Sequence, residues 1–275
     1  MKNILKKFIE LFGYSFHIIK NNEIGSISFK IIKLSKQEKT LQNIEKENPF
    51  RNKDLKLLDS NKGYHYLYPP ITDTQLKNYY KEHYWRKFRD TDFVGVKDRD
   101  FFHFELIKKY KLLKKDGKIL NFGSGHGGVS FILSILNNQV INFDYDKSLK
   151  NFENYFKTID DFTDLKDNSI DLIYASHSLE HVSNIDLTIS EFTRIASKNC
   201  KVLFEVPNAE YLGNGLQNNK IDEPHTIYFT RKYFENILSK NILLKTYNGN
   251  YELDNFEKIN NFSNKHNSLV IIGEL

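Results

Sequence analysis

The sequence has very little cysteine, and this limits the kinds of site that it can form. Its 275 residues include one cysteine, Cys200. A single cysteine excludes an intramolecular disulfide and a cysteine-rich zinc site. Because Cys200 stands at the start of an apolar run, we interpret it as a structural residue.

Long hydrophobic runs are also missing. No stretch of the sequence reaches the roughly 18–20 apolar residues that a transmembrane helix needs. The first residues are basic, but they have no continuous apolar core and no small-residue cleavage site of the kind found in signal peptides. We therefore expect a cytoplasmic protein.

Positive charge is concentrated at one end of the chain. Residues 1–58 contain 12 Lys or Arg and 6 Asp or Glu, whereas the whole chain has a net charge of +5. A protein that binds nucleic acid usually presents a broad basic surface. We therefore expect no nucleic-acid partner.

The first twelve residues have the pattern of an amphipathic helix. Their apolar residues fall on one helical stripe, with the lysines largely on the other side: Ile4, Leu5, Phe8, Ile9 and Phe12. Such a helix either packs on its own protein or a second subunit, or lies on an anionic membrane surface. Peripheral contact with the inner membrane and the oligomeric state both stay open.

Strand-like and helical segments alternate after an aromatic-rich stretch. This alternation is typical of a doubly wound α/β domain. The strand-like runs are residues 118–122, 139–143, 170–175, 201–206, 242–247 and 268–272. We expect a basic, irregular segment over residues 1–62, an aromatic-rich lid or lead-in over 63–100 and the main domain over 101–275.

A glycine-rich turn follows the first of these strands. Gly123, Gly125 and Gly127 lie between the apolar strand and a helix that begins near Val129. Glycine allows the backbone to turn tightly and approach a ligand, and the helix start presents free N–H groups. Many nucleotide-binding folds share this pattern, so the turn alone does not identify the ligand.

The next strand ends in an acidic pair, Asp144 and Asp146. An acid about 20 residues beyond the glycines is placed to accept hydrogen bonds from ribose hydroxyls. We choose Asp144 for this role, with Asp146 as the second choice.

Later strands end in further polar residues. The segment SHSLEHV occupies residues 176–182, EVPN occupies 205–208 and DEPHTIYFT occupies 222–230. Because ligands of open α/β sheets bind at the carboxyl ends of the strands, we expect these residues to meet at one edge.

Taken together, these motifs resemble the class I S-adenosylmethionine-dependent methyltransferases over about residues 100–275. The LEHV, EVPN and H…FT motifs are similar to a bacterial branch that acts on small molecules, and residues 68–85 resemble the segment that leads into its catalytic domain. The resemblance implies a Rossmann-like, doubly wound α/β sheet of seven strands with the last strand antiparallel. An N-terminal helical and aromatic extension would precede that sheet.

The resemblance also implies the cofactor S-adenosyl-L-methionine and a set of residues that bind it. That set is Asn121, Gly123, Gly125, Gly127, Asp144, Tyr145, Asp161, Phe162, His177 and Tyr84. Asn121 departs from the family, which usually has an acid at this position, so weaker cofactor binding is expected.

A methyltransferase of this kind that acts on a sugar would benefit from a general base, because the hydroxyl group of a sugar is a poor nucleophile at neutral pH. His181 and His225 are the candidates, and Glu205 or Glu180 would orient one of them. A structural role for His181 is the alternative, since its motif recurs in family members with unrelated acceptors. No spacing indicates a metal site, and we assign none; a divalent cation held by these four side chains stays an alternative.

The expected reaction is O-methylation of a small acceptor: a sugar, a nucleotide-linked sugar or a phosphorylated precursor of a bacterial surface polysaccharide, such as capsule or lipopolysaccharide. A lipid-like or quinol acceptor is the second hypothesis and would need an apolar cleft. A non-catalytic scaffold is the third, and only Asn121 favours it. Methylation of nucleic acid is disfavoured, because residues 175–178 read ASHS instead of an Asn/Asp-Pro-Pro-aromatic tetrad.

Overall fold

A computed structural model describes the chain in ten parts: residues 14–20, 27–33, 48–52, 54–84, 96–136, 138–145, 155–213, 216, 221–248 and 251–275. The expected amphipathic helix over residues 1–12 and the second-choice acid Asp146 lie outside these residues.

A seven-stranded sheet forms the centre of the protein, in the order β11-β12-β9-β8-β5-β6-β7. β12 is antiparallel to both of its neighbours, and the other adjacent pairs are parallel. The predicted fold class is therefore confirmed. The strands are β5 Lys118–Phe122, β6 Gln139–Phe143, β7 Phe156–Ile159, β8 Ile170–Ser176, β9 Ala196–Pro207, β11 Lys240–Tyr247 and β12 Ser268–Glu274.

Helices cover both faces of this sheet, which explains why its central strands are almost continuously apolar. Phe102 and Leu106 of one helix pack on one face, and Phe192 and Phe234 of two others pack on the opposite face. The helices are α1 Asp73–Tyr79, α2 Asp98–Lys109, α3 Gly128–Ser134, α4 Ile185–Ile195, α5 Arg231–Ile237 and α6 Leu253–Glu257. A π-helical turn, Tyr80–Tyr84, extends α1.

Single-turn 3₁₀ helices occur at Pro49–Arg51, Phe162–Asp164 and Leu179–His181. The part of the chain that the structure describes contains no helix long and apolar enough to cross a membrane.

A small antiparallel sheet connects the lead-in to the main domain. Its order is β10-β4-β3, with β3 Lys56–Asp59, β4 Tyr64–Tyr68 and β10 Ile227–Phe229. The division expected after residue 62 falls between the hydrogen-bonded strands β3 and β4, and the division expected after residue 100 falls inside α2. Residues 56–68 are therefore joined to the strand that follows His225. Two further strands, β1 Tyr14–Lys20 and β2 Ile27–Lys33, form an antiparallel pair.

Candidate active site

A cavity of about 490 Å³ lies at the carboxyl ends of β5, β6 and β8. The glycine turn, the ends of these strands, the Leu179–His181 turn and the segment around His225 contribute to its wall. The strand order reverses between β5 and β8, and ligands of open α/β sheets bind at such a reversal.

The glycine turn approaches the end of β8 very closely. Gly123 has a φ of 70°, and a Cβ atom at this position would lie 2.2 Å from Cβ of Ser178. The Ser178 hydroxyl donates a hydrogen bond of 2.7 Å to the carbonyl of Phe122. A residue without a side chain is therefore required at position 123.

Asp144 secures the same turn from the end of β6. Its Oδ2 accepts a hydrogen bond of 2.8 Å from the backbone N–H of Gly125, and the side chain lines the cavity. The carboxylate thus fixes the glycine turn and faces the cavity beside it.

Asn121 has a different environment behind the turn. Its Nδ2 donates a 2.7 Å hydrogen bond to the Ser130 hydroxyl, which donates in turn to Oδ1 of Asn142. All three side chains are buried. Asn121 therefore joins β5, α3 and β6, and it is not part of the cavity wall.

His177 is held between two buried carboxylates. Its φ of 49° lies in the left-handed region, and its N–H donates a hydrogen bond of 2.8 Å to the carbonyl of Glu205. Nδ1 lies 3.4 Å from Oε1 of Glu180, and Nε2 lies 3.5 Å from Oε1 of Glu205. Burial alone would lower the pKa of His177, but contact with the two carboxylates raises it to about 9. His177 therefore carries a positive charge at neutral pH.

Glu205 lies behind His177 and continues a row of buried polar groups. Its Oε2 is 3.0 Å from Nε2 of His103, whose Nδ1 is 2.7 Å from the Tyr174 hydroxyl. Burial alone would raise the pKa of Glu205, but His103 and His177 hold it well below its usual value. Glu205 is not exposed and does not line the cavity; it contacts the cavity residues His177 and Ser176 from behind.

His181 and His225 lie together on the other side of Glu180, with their ring centres 5.0 Å apart. Thr226 fixes this arrangement, because its hydroxyl lies 3.0 Å from the carbonyl of Glu180 and 2.6 Å from that of Val182. The segment containing His225 is thereby attached to the Leu179–His181 turn.

The protonation of this group follows from its burial. Burial lowers the pKa of His181 to about 4, and the Glu180 carboxylate opposes this shift only in part. Burial alone would raise the pKa of Glu180, but the neighbouring imidazoles, His181 first among them, bring it to about 2. At neutral pH Glu180 is therefore ionised and His181 is uncharged.

Aromatic side chains from the lead-in form the remaining wall. Tyr80 and Tyr84 line the cavity, with their ring centres 5.2 Å apart. Next to this wall is a second depression of about 350 Å³, which Asp161 and Phe162 line. Tyr145 borders both spaces.

Comparison with known proteins identifies the family. A family model described as a methyltransferase domain matches residues 97–241, which is more than half of the chain. The chain belongs to this methyltransferase family. No curated protein matches its sequence.

One solved structure supports the fold of this methyltransferase, and a second is reported beside it. A SAM-dependent methyltransferase from Archaeoglobus fulgidus is 19% identical and has a TM-score of 0.50; the match covers 71% of this chain and 100% of that one. A methyltransferase from Mesorhizobium loti is 12% identical, with a TM-score of 0.47, over 62% of this chain and 97% of that one. At this level of identity, the likeness to the Archaeoglobus protein shows the fold alone.

The structure places most of the predicted site residues of the methyltransferase on the main cavity. Those that line it are Tyr84, Gly123, Gly125, Asp144, Tyr145, His177, His181 and His225. Asp161 and Phe162 line the neighbouring depression, whereas Asn121, Gly127 and Glu205 line neither space.

Arg99 and Lys97 also line the cavity, and the sequence analysis missed both. The Nε atom of Arg99 is buried without a hydrogen-bond acceptor among the described residues. Burial works against the charge of Arg99, but Tyr174 and Glu205 raise its pKa above the ordinary value, so the side chain stays cationic. Both residues belong to a charged run, residues 97–100, that has the pattern of any solvated helix start.

Proposed function

We propose that the protein transfers a methyl group from S-adenosyl-L-methionine to a hydroxyl group of a sugar or phosphorylated precursor of a bacterial surface polysaccharide. The observation that carries this proposal is the cavity itself. It brings the glycine turn and Asp144 together with a pair of imidazoles, His181 and His225, at the sheet edge.

The cavity fits the cofactor in size and chemistry. Its volume of about 490 Å³ lies within the roughly 300–1,000 Å³ that is typical of small-molecule sites. The space beside Gly123 is one that a Cβ atom would fill, and the Asp144 carboxylate is suited to ribose hydroxyls. The Arg99 guanidinium is suited to the carboxylate of the amino-acid part. Asp161 and Phe162 would then face the adenine.

The acceptor would lie on the His225 side of the cavity. S-adenosylmethionine, when bound, supplies a methyl group on a positively charged sulfur, and a deprotonated hydroxyl attacks such a group more readily. With a pKa of about 4, His181 is a weak proton acceptor at neutral pH, so we assign the activation of the hydroxyl to His225. Tyr80 and Tyr84 shield this region from water.

The polarity of the cavity favours a hydroxylated acceptor over a lipid-like or quinol acceptor. Its wall contains the charged side chains Arg99, Asp144, His177 and Glu180. A polysaccharide precursor is further supported by the LEHV, EVPN and H…FT motifs and by the basic residues 1–58. The basic residues 1–58 would also suit a cytoplasmic enzyme that contacts the inner membrane.

Calorimetric titration with S-adenosylmethionine and S-adenosylhomocysteine tests the cofactor. We expect micromolar binding by the wild type and at least tenfold weaker binding by Asp144→Ala, which is about 1.4 kcal/mol. Asp54→Ala is the matched control, because Asp54 is exposed and lies outside the cavity. No binding by the wild type would exclude this cofactor, and equal binding by both variants would remove Asp144 from the site.

A panel of acceptors tests the second part of the proposal. Nucleotide-linked sugars, sugar phosphates and short quinols are incubated separately with the protein and methyl-labelled cofactor. We expect label on a sugar hydroxyl, and its loss in His225→Asn. Label found on quinols alone would contradict the assignment of the acceptor.

A further inference from the structure

We infer that Glu180, His181 and His225 form a binding site for one divalent transition-metal cation at the cavity wall. Each residue offers one ligand atom, and these atoms all lie within 4.8 Å of one another. All three side chains also line the cavity, so a cation held here would be reached from the space where the acceptor is proposed to lie.

Glu180 is incompletely satisfied by its charged neighbour, His177. The residue is 1% exposed, and neither of its carboxylate oxygens accepts a hydrogen bond from any described residue. The nearest nitrogen atoms, on His177 and His181, are 3.4 Å and 3.6 Å away from Oε1. A buried carboxylate without hydrogen bonds is costly, and a metal ion is one of the few groups that can satisfy both of its oxygens.

The orientation of His181 supports the same conclusion. Its Nδ1 is 3.3 Å from the carbonyl oxygen of Pro224, which can only accept a hydrogen bond, so Nδ1 carries the proton. Nε2 then presents a lone pair toward Oε1 of Glu180, 3.6 Å away. Two acceptor atoms that face each other require a proton or a cation between them.

The surroundings of the three ligands resemble the outer shell of a metal site. Metal-bound histidines usually donate their other ring N–H to a carbonyl or carboxylate, which fixes the ring and its tautomer. His181 has this contact with Pro224, and Nδ1 of His225 lies 3.5 Å from Oδ2 of Asp222. His177 lies 3.4 Å from Glu180 and orients the third ligand.

The ligand set indicates the class of cation. Two imidazoles and one carboxylate suit Zn²⁺, Co²⁺ or Fe²⁺, whereas Mg²⁺ and Ca²⁺ prefer sites made of oxygen alone. Bonds of about 2.0–2.2 Å require the three side chains to move closer than they are now.

The role that we assign to the cation rests on the proposed function. Three protein ligands leave a coordination position open toward the cavity, and an oxygen atom of the acceptor would occupy it. The cation would then lower the pKa of the acceptor hydroxyl, whose proton passes to water while the oxygen attacks the methyl carbon. His225 would activate the hydroxyl by holding the cation, and the carbon–sulfur bond of the cofactor would break as the ether forms.

Titration of the tag-free, chelator-treated protein with Co²⁺ alone tests the site. Binding is followed by visible absorption, which reports on the ligands, and by calorimetry. We expect one Co²⁺ per chain, displaced by Zn²⁺, and at least tenfold weaker binding by His225→Asn and by Glu180→Gln. His65→Asn is the matched control, because His65 lies in β4 outside the cavity wall.

The variants decide the outcome even when one of them fails to fold. Glu180 is fully buried, whereas the side chain of His225 is 16% exposed, so His225→Asn is the safer variant. No saturable Co²⁺ binding by the wild type would overturn the inference, as would equal binding by His225→Asn or a similar loss in His65→Asn. A parallel titration with S-adenosylmethionine separates the two proposals: cofactor binding without Co²⁺ binding rejects the cation site alone, and the reverse result rejects the proposed function.

Discussion

The close contact between the glycine turn and Ser178 allows a quantitative prediction. Gly123→Ala would place a Cβ atom 2.2 Å from Cβ of Ser178, on a backbone with a φ of 70°. Carbon atoms pack at about 3.5–4.0 Å, so Ser178 must move and lose its hydrogen bond to Phe122.

The expected destabilisation combines three effects. The left-handed backbone costs an alanine about 1–2 kcal/mol. Loss of the hydrogen bond costs about 0.5–1.5 kcal/mol, and displacement of a packed side chain costs about 1–3 kcal/mol. We therefore expect Gly123→Ala to lower the free energy of unfolding by about 2.5–6.5 kcal/mol, the sum of these three ranges. In Gly123→Ala/Ser178→Gly the steric overlap is gone. The double variant should therefore lose about 2 kcal/mol less unfolding free energy than the two single variants lose together.

Urea unfolding followed by circular dichroism and by fluorescence measures these differences, provided that the two transitions coincide. Gly117→Ala is the control, because Gly117 does not have a left-handed φ and its nearest neighbour would be 3.1 Å away; we expect a loss below about 1 kcal/mol. Strictly additive single and double variants would refute the steric argument. A loss below about 1 kcal/mol in Gly123→Ala would refute the geometry of the turn.

Two further predictions concern the buried polar groups. Asn121→Asp replaces the amide that donates to Ser130 with a buried carboxylate. The free energy of unfolding in urea at pH 7 should fall by about 1–3 kcal/mol. The loss should shrink as the pH falls and the new side chain gains a proton; a fully stable variant at pH 7 would show that the amide accepts instead of donating. Cys200 is buried, and burial, with the Asp171 carboxylate second, raises its thiol pKa to about 12. A disulfide reagent at pH 7 should therefore modify it at least about a hundredfold more slowly in the native protein than in denaturant, and rapid native modification would show that the start of β9 opens.

The strands of the large sheet could be predicted where the local sequence marks both of their ends. The runs at residues 118–122 and 139–143 are β5 and β6 with the predicted bounds, because each is an apolar segment that ends at a turn signal. β7 was not predicted, since its four residues, Phe156–Ile159, alternate weakly. β10 was missed for a different reason: it pairs with β4, which lies about 160 residues earlier, and no local pattern encodes that pairing.

The residues of the candidate site also fall into two groups: those that local motifs predicted and those that only the structure revealed. Local motifs placed Gly123, Asp144 and the imidazoles at one edge of the sheet, although their ligands remain predictions. Arg99 and His103 became visible only in the structure, because α2 brings them against β8 and β9 from outside any motif. Glu205 was expected near the chemistry, but it is separated from the cavity by His177.

Two parts of the cavity wall lie next to strands of different sheets. Gly123 and Asp144 follow strands of the seven-stranded sheet, whereas His225 precedes β10, whose partner is the β3–β4 hairpin. His225 is thus attached to this small sheet as well as, through Thr226, to the Leu179–His181 turn, and changes in residues 56–68 can shift it without touching the glycine turn directly. On the proposed function, such changes would alter the acceptor side of the cavity more than the side that binds the methyl donor.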